Sequence, residues 1–160
     1  MEAQTGSRDA FSALCQHFYP GAISFAVKLC GDVHLAEDAV HNALLRLSKT
    51  VNKLRDPGAI NTWVFKLVRW QVLDMSKQQK RYQPMVETAF FFSDDKFEDR
   101  DLAKAIAKLP SIEGQVIHLF YLEEFSLKDI AKVLEIPHGT VKSRLFRARE
   151  RLKQLLEQDC

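Results

Sequence analysis

Apolar residues recur along this chain at intervals of three and four, and no stretch alternates long enough to define a strand. The pattern predicts helices near 8–30, 34–53, 60–79, 100–108, 112–122, 127–134 and 138–157, an all-α protein. The run Phe90-Phe91-Phe92 sits between acidic and polar residues, and is read as part of a connector docking on an apolar groove.

The pattern is sharpest in the last third. Ser126 followed by Asp129 resembles a capping box, which supplies acceptors to the amides left free at a helix start. Leu127, Ile130, Ala131 and Leu134 then make one apolar stripe. Glu135-Ile136-Pro137 ends this helix, because the residue before a proline is pushed out of the α region, and Pro137 suits the start of another. In the second helix Val141, Leu145, Ala148 and Leu152 face inward, leaving Lys142, Ser143, Phe146, Arg147 and Arg149 outside. Two short helices, a tight turn and a cationic outer face carrying one aromatic ring are the layout of a helix-turn-helix. The cations suit phosphates or the acceptor edge of guanine, and the ring suits a thymine methyl.

Two earlier helices carry more than a core requires. From about His34, the residues Leu35, Ala39, Val40, Ala43, Leu44 and Leu47 form a wide apolar arc. Asp38, His41, Asn42 and Leu45 fall on another side at i, i+3, i+4 and i+7, and a leucine among polar residues there points to a protein contact. From about Ile60, Val64, Val68, Val72 and Met75 point one way, while Trp63, Lys66, Trp70 and Lys77 gather opposite. Rings interleaved with cations make a platform for an unstacked base; stacking contributes about 1–3 kcal/mol per base. The loop 54–62 before this helix carries Pro57-Gly58 for a tight turn.

Charge is distributed rather than abundant. The net charge of the 160-residue chain is +2, but Lys66, Arg69, Lys77, Lys80 and Arg81 form one basic block and Lys142 to Lys153 another. Between them Glu87, Asp94, Asp95, Glu98, Asp99 and Asp101 make an acidic stretch. Two basic blocks separated by an acidic connector suggest two nucleic-acid contacts joined by a tether. The expected organisation is two small helical domains, 1–81 and 100–160, joined by a flexible acidic linker at 82–99. Cys15, Cys30 and Cys160 are odd in number and lack CxxC spacing, which argues for a reducing compartment and for buried thiols over redox sensors. No apolar run approaches the roughly 20 residues of a membrane span. The expectation is a cytoplasmic protein with no membrane insertion, no cofactor and no metal.

The C-terminal run, particularly Gly139-Thr-Val-Lys-Ser-Arg-Leu-Phe-Arg-Ala-Arg149 with Leu109-Pro110 ahead of it, resembles region 4 of the extracytoplasmic-function sigma factors of bacterial RNA polymerase. Ala36-Glu-Asp-Ala-Val-His-Asn-Ala-Leu-Leu-Arg-Leu47 resembles region 2.2 of that family. Thr62-Trp-Val-Phe-Lys-Leu-Val-Arg-Trp-Gln-Val-Leu-Asp74, with the basic tail to Arg81, resembles regions 2.3 and 2.4. The resemblance implies a promoter-recognition subunit rather than an enzyme. It implies that Thr140, Lys142, Ser143, Arg144, Phe146, Arg147 and Arg149 read the minus-35 element as duplex DNA. Asn61, Trp63, Lys66, Arg69, Trp70, Lys77, Lys80 and Arg81 would bind and melt the minus-10 element. Asp38, His41, Asn42 and Leu45 would dock on core RNA polymerase, and an anti-sigma factor is an expected further partner. His41-Asn42 stand where the family usually carries Gln-Glu, and Trp70 where asparagine is common.

Two other readings share these residues. A helical metalloenzyme could use Asp38-x-x-His41 with His34 and Glu37, but a di-iron bundle wants a second such pair on facing helices, and none is apparent. A conventional helix-turn-helix regulator would bind paired half-sites as a dimer, and the upstream signature disfavours it.

Overall fold

The first helical unit is set by its caps. A computed structural model describes residues 8–78 and 100–158; the connector 82–99, Phe90-Phe91-Phe92, Lys80 and Arg81 lie outside the described residues. Helix α1 (Arg8–Cys30) ends where Gly31 takes φ 72°, a left-handed conformation that costs glycine little. The Asp32 carboxylate then accepts the amides of His34 (2.9 Å) and Leu35 (3.4 Å) and starts α2 (Val33–Thr50). Helix α3 (Ile60–Gln78) follows, and the three bury Phe25, Phe65, Leu47, Val64 and Val68 against one another. The helix expected over 34–53 is α-helical to Thr50 and tightens to a 3₁₀ turn over Val51–Lys53, with Val51 buried.

The second unit comprises α4 (Arg100–Ala107), α5 (Ser111–Ile117), α6 (Leu127–Leu134) and α7 (His138–Gln158). The single helix expected over 112–122 changes character after Ile117, where the chain widens into a π turn over His118–Leu122. Val116, Ile117, His118 and Leu119 are all buried at this point. Among the described residues there is no strand.

The two units pack on each other, α1 against α5 and α3 against α6. His118 lies between Phe25 of α1 (ring centroids 5.9 Å) and Phe65 of α3 (6.5 Å), and Phe65 meets Phe125 edge-on at 5.4 Å. Glu123 pairs with His118 at 3.3 Å and presses on Gly21, where an added Cβ would stand 2.2 Å from its carboxylate. A side chain at 21 would therefore have to push the Glu123 carboxylate aside. The Ser111 hydroxyl donates to the Lys28 carbonyl at 2.6 Å, occupying an acceptor at the end of α1.

Lys28 is drawn into this interface, its Nζ donating to the Ile106 carbonyl at 3.4 Å. Loss of hydration pushes its pKa down from 10.5 to about 8. Between those values the unfolded chain holds the proton more often than the folded one, so stability rises with pH there. Below about 8 both states are charged and that gain is absent. Lys28→Met should remove a rise of up to about 1.4 kcal/mol per pH unit, read as the difference between wild-type and variant urea midpoints at pH about 7.5 and about 9.5. Parallel midpoints would mean that Lys28 stays hydrated.

Candidate nucleic-acid and polymerase interfaces

The helix-turn-helix forms from the signals that predicted it. The Ser126 hydroxyl accepts the Asp129 amide at 3.1 Å and begins α6. The helix closes on Glu135, which adopts φ 55° and ψ 46° while its amide returns to the Ala131 carbonyl. The turn is tied by the Ile136 amide to Ala131 (3.1 Å), and the first turn of α7 by the Thr140 amide to the Pro137 carbonyl (3.0 Å). Val141, Leu145, Ala148 and Leu152 are buried, as their spacing required. Arg151 at the back of α7 is held by Glu113, 2.9 Å away, which fixes α7 against α5.

On the outer face Lys142, Ser143, Phe146 and Arg147 are exposed, and Phe146 keeps 66% of its surface in solvent. Thr140 and Arg144 are half-buried at the flank of this face. The Ser143 hydroxyl bonds back to the Gly139 (3.0 Å) and Thr140 (3.3 Å) carbonyls, leaving oxygen lone pairs toward solvent. Arg149 departs from the expectation. Its Nε donates to the Tyr121 hydroxyl at 2.7 Å and its guanidinium lies over Phe120 (5.3 Å) and Tyr121 (5.6 Å). The π turn thus fixes Arg149 at the edge of the face and leaves its terminal amino groups for a phosphate.

The aromatic platform on α3 is more buried than its helical spacing indicates. Trp63 and Trp70 are both half-buried, pack on the core and meet edge to face at 5.6 Å. The Trp63 indole N–H donates to the Thr50 hydroxyl at 3.2 Å, which ties α3 to the end of α2. Packing leaves both rings partly accessible rather than fully open. Lys66 lies over the Trp70 ring at 5.2 Å, combining cation and aromatic as anticipated. The Trp70 indole N–H donates to the Glu135 carboxylate, and Arg69 approaches the same oxygen at 3.5 Å. Asn61 and Lys77 are exposed at the two ends of the helix. Before α3, the Asp56 carboxylate accepts the Gly58 amide at 2.9 Å and shapes the turn Pro57–Ala59.

Asp38, His41, Asn42 and Leu45 come together on the outside of α2, all exposed, with Leu45 at 62%. The patch extends beyond α2 in a way that spacing could not reveal. The His41 ring meets Tyr19 of α1 edge-on at 6.1 Å, and the Asn42 amide contacts the Met75 sulfur of α3 at 3.8 Å. Tyr19 and Met75 are thus neighbours of this exposed patch that helical spacing on α2 did not reveal.

Of the two cysteines among the described residues, Cys30 is buried and Cys15 half-buried. Burial pushes both thiols up, away from the thiolate that redox chemistry requires. Among the described residues no group of three His, Cys, Asp or Glu side chains is arranged to hold a metal, and no helix is long and apolar enough to cross a membrane.

Two helical units packed on each other, one with a helix-turn-helix whose outer face is cationic, fit a DNA-reading regulator. Residues 14–82 match the family model for sigma-70 region 2, and residues 99–152 match that for sigma-70 region 4. The chain is 30% identical over 149 residues to the RNA polymerase sigma factor SigV of Bacillus subtilis, covering 90% of this chain and 87% of that one. It is 28% identical over 168 residues to the ECF RNA polymerase sigma factor RpoE of Cereibacter sphaeroides, covering 96% and 91%. The sigma factor RpoE of Bartonella quintana, solved in complex with the anti-sigma factor NepR, shares the fold with a TM-score of 0.71 at 24% identity, over 94% of this chain and 99% of that one. The chain belongs to the extracytoplasmic-function sigma factors of the sigma-70 family. It is an alternative sigma factor directing transcription initiation, and the reading as a conventional dimeric regulator falls away. Sigma factors are DNA-binding regulators.

Proposed function

We propose that residues 1–81 dock on core RNA polymerase and open the minus-10 element, that residues 100–160 read the minus-35 element as duplex, and that 82–99 span between them. The observation that carries this division is the outer face of α7, where Lys142, Phe146 and Arg147 stand exposed on a helix whose opposite face is buried. A helix so presented fits the major groove, with Arg147 toward a phosphate or guanine and Phe146 toward a thymine methyl. Thr140, Ser143, Arg144 and Arg149 position it. Asn61, Lys66, Arg69, Trp70, Lys77, Lys80 and Arg81 hold the displaced strand, and Trp63 supports Trp70 from behind. Base stacking at about 1–3 kcal/mol matches the few kcal/mol needed to flip a base, so opening proceeds without ATP.

Asp38, His41, Asn42 and Leu45 form the polymerase-docking face. The chemistry of RNA synthesis stays with the polymerase, and this chain has no enzymatic activity of its own. It works in the cytoplasm, and an anti-sigma factor holds it there; the sigma factor RpoE of Bartonella quintana, similar in fold, was solved with the anti-sigma factor NepR. The test is transcription by purified core polymerase with and without the protein. Initiation at defined start sites only in its presence is the expected result. Sequence-specific binding by the protein alone, with no initiation, would count against the division of labour.

A further inference from the structure

Part of the α3 face assigned to minus-10 DNA, at Arg69 and Trp70, is covered in this structure. The Glu135 carboxylate occupies it, accepting the Trp70 indole N–H and lying 3.5 Å from the Arg69 guanidinium. Glu135 belongs to the other unit, 65 residues along the chain from Trp70, at the corner of the helix-turn-helix. Its backbone is a second, independent sign. Glu135 sits at φ 55°, a left-handed position where glycine or asparagine is usual and a glutamate carries steric cost. Such a residue persists where its side chain has a task. The carboxylate offers what a DNA phosphate would offer to the same two donors, a delocalised anion for an arginine and an acceptor for an indole.

We propose that Glu135 is an intramolecular stand-in for a backbone phosphate, an autoinhibitory latch that holds the helix-turn-helix over the minus-10 surface until polymerase and promoter displace it. The inference rests on the reading of Arg69 and Trp70 as DNA contacts. A phosphate brought to the same guanidinium edge is repelled by the Glu135 carboxylate, so strand capture and the latch compete. The latch closes the edge of an interface whose centre is the Phe25, Phe65, His118 and Phe125 cluster. At that centre Gly21 admits the Glu123 carboxylate, so the two sites are set by different residues. Arg69 is half-buried and Glu135 half-exposed, which keeps the pair weak enough to be released.

The test uses the full chain and two readouts. One is small-angle X-ray scattering, for the separation of the units. The other is anisotropy of fluorescein-labelled, mixed-sequence single-stranded DNA of about 16 nucleotides. Glu135→Gln keeps the side-chain shape and removes the charge. It should raise the radius of gyration and tighten strand binding roughly twofold to tenfold. Glu135→Gly should do the same while relieving the backbone, so that loss of folding does not mask the result. Gly21→Ala, which displaces Glu123 within an otherwise improved helix, should open the units from the other end of the interface while leaving residue 135 unchanged, and should tighten binding likewise.

If Glu135→Gln and Glu135→Gly leave both readouts at wild-type values, the latch is overturned. If Gly21→Ala separates the units and tightens strand binding but the Glu135 variants do not, the interface inhibits without Glu135, and the latch is again overturned. Adding Arg69→Gln to Glu135→Gln checks the underlying reading. Loss of the gained binding supports it. Retention of the gain would show that Arg69 is no DNA contact, which sinks the phosphate-mimic role even where the units still open.

Discussion

Leu45→Glu should abolish measurable association with core polymerase while leaving the helical content and the thermal midpoint of the free protein at wild-type values. Leu45 holds 62% of its surface in solvent and lies outside the core of α2, so replacing it removes little folding energy. Surface changes of this kind stay within about 0.5 kcal/mol. At an interface the balance reverses. An apolar anchor seated centrally in a partner's groove contributes upwards of 2 kcal/mol, and a carboxylate in its place must be desolvated without a partner. A loss of at least about thirtyfold follows, because each 1.4 kcal/mol is a factor of ten. Competition of the variant with labelled wild-type protein for core polymerase measures it. Unimpaired competition would remove the outer face of α2 from the docking site. Asp38 and His41 flank the leucine and are expected to contribute less, since rim charges act through the approach rate.

Arg147→Ala should weaken binding to minus-35 duplex by roughly tenfold to a hundredfold, the consequence of removing about 1–3 kcal/mol of charged hydrogen bonding to a base edge or phosphate. Arg147 is exposed on the outer face of α7, four residues from Ser143 and one from Phe146. The salt dependence of binding distinguishes its target. A phosphate contact lowers the slope of log affinity against log salt by about one, and leaves discrimination between sequences unchanged. A base contact relaxes discrimination at one position. Core association should stay at the wild-type level, since Arg147 and Leu45 lie on different units; equal loss of both activities would mean that the variant misfolds. Arg149→Ala is expected to lose less affinity at the DNA and more order in the π turn, because the side chain is already committed to Phe120 and Tyr121.

The helix-turn-helix was legible because every signal for it is local. Ser126 caps its own helix, Pro137 starts the next, and Val141, Leu145, Ala148 and Leu152 repeat at the helical period. That Asp38, His41, Asn42 and Leu45 lie together on one exposed face was legible for the same reason, since they share one helix. The sequence reading fell short where neighbours come from elsewhere in the chain. Trp63 and Trp70 share a helix face with Lys66, and from the pattern that face reads as open. Their packing against Thr50 and each other is a property of how α2 meets α3. The helix over 112–122 was expected to run regularly, and its π turn comes where His118 packs between Phe25 and Phe65, residues of two other helices.

The order of the amino acids therefore determined the all-α class, the inward stripe of each helix and the family, because helical period and capping depend on residues at most a few positions apart. The tertiary structure alone decided which faces are free. Arg69 and Trp70 carry the same chemistry whether exposed or covered, and Glu135 reaches them only because α3 packs on α6. That packing depends on how two apolar surfaces from opposite ends of the chain fit together, which no local pattern in either one encodes.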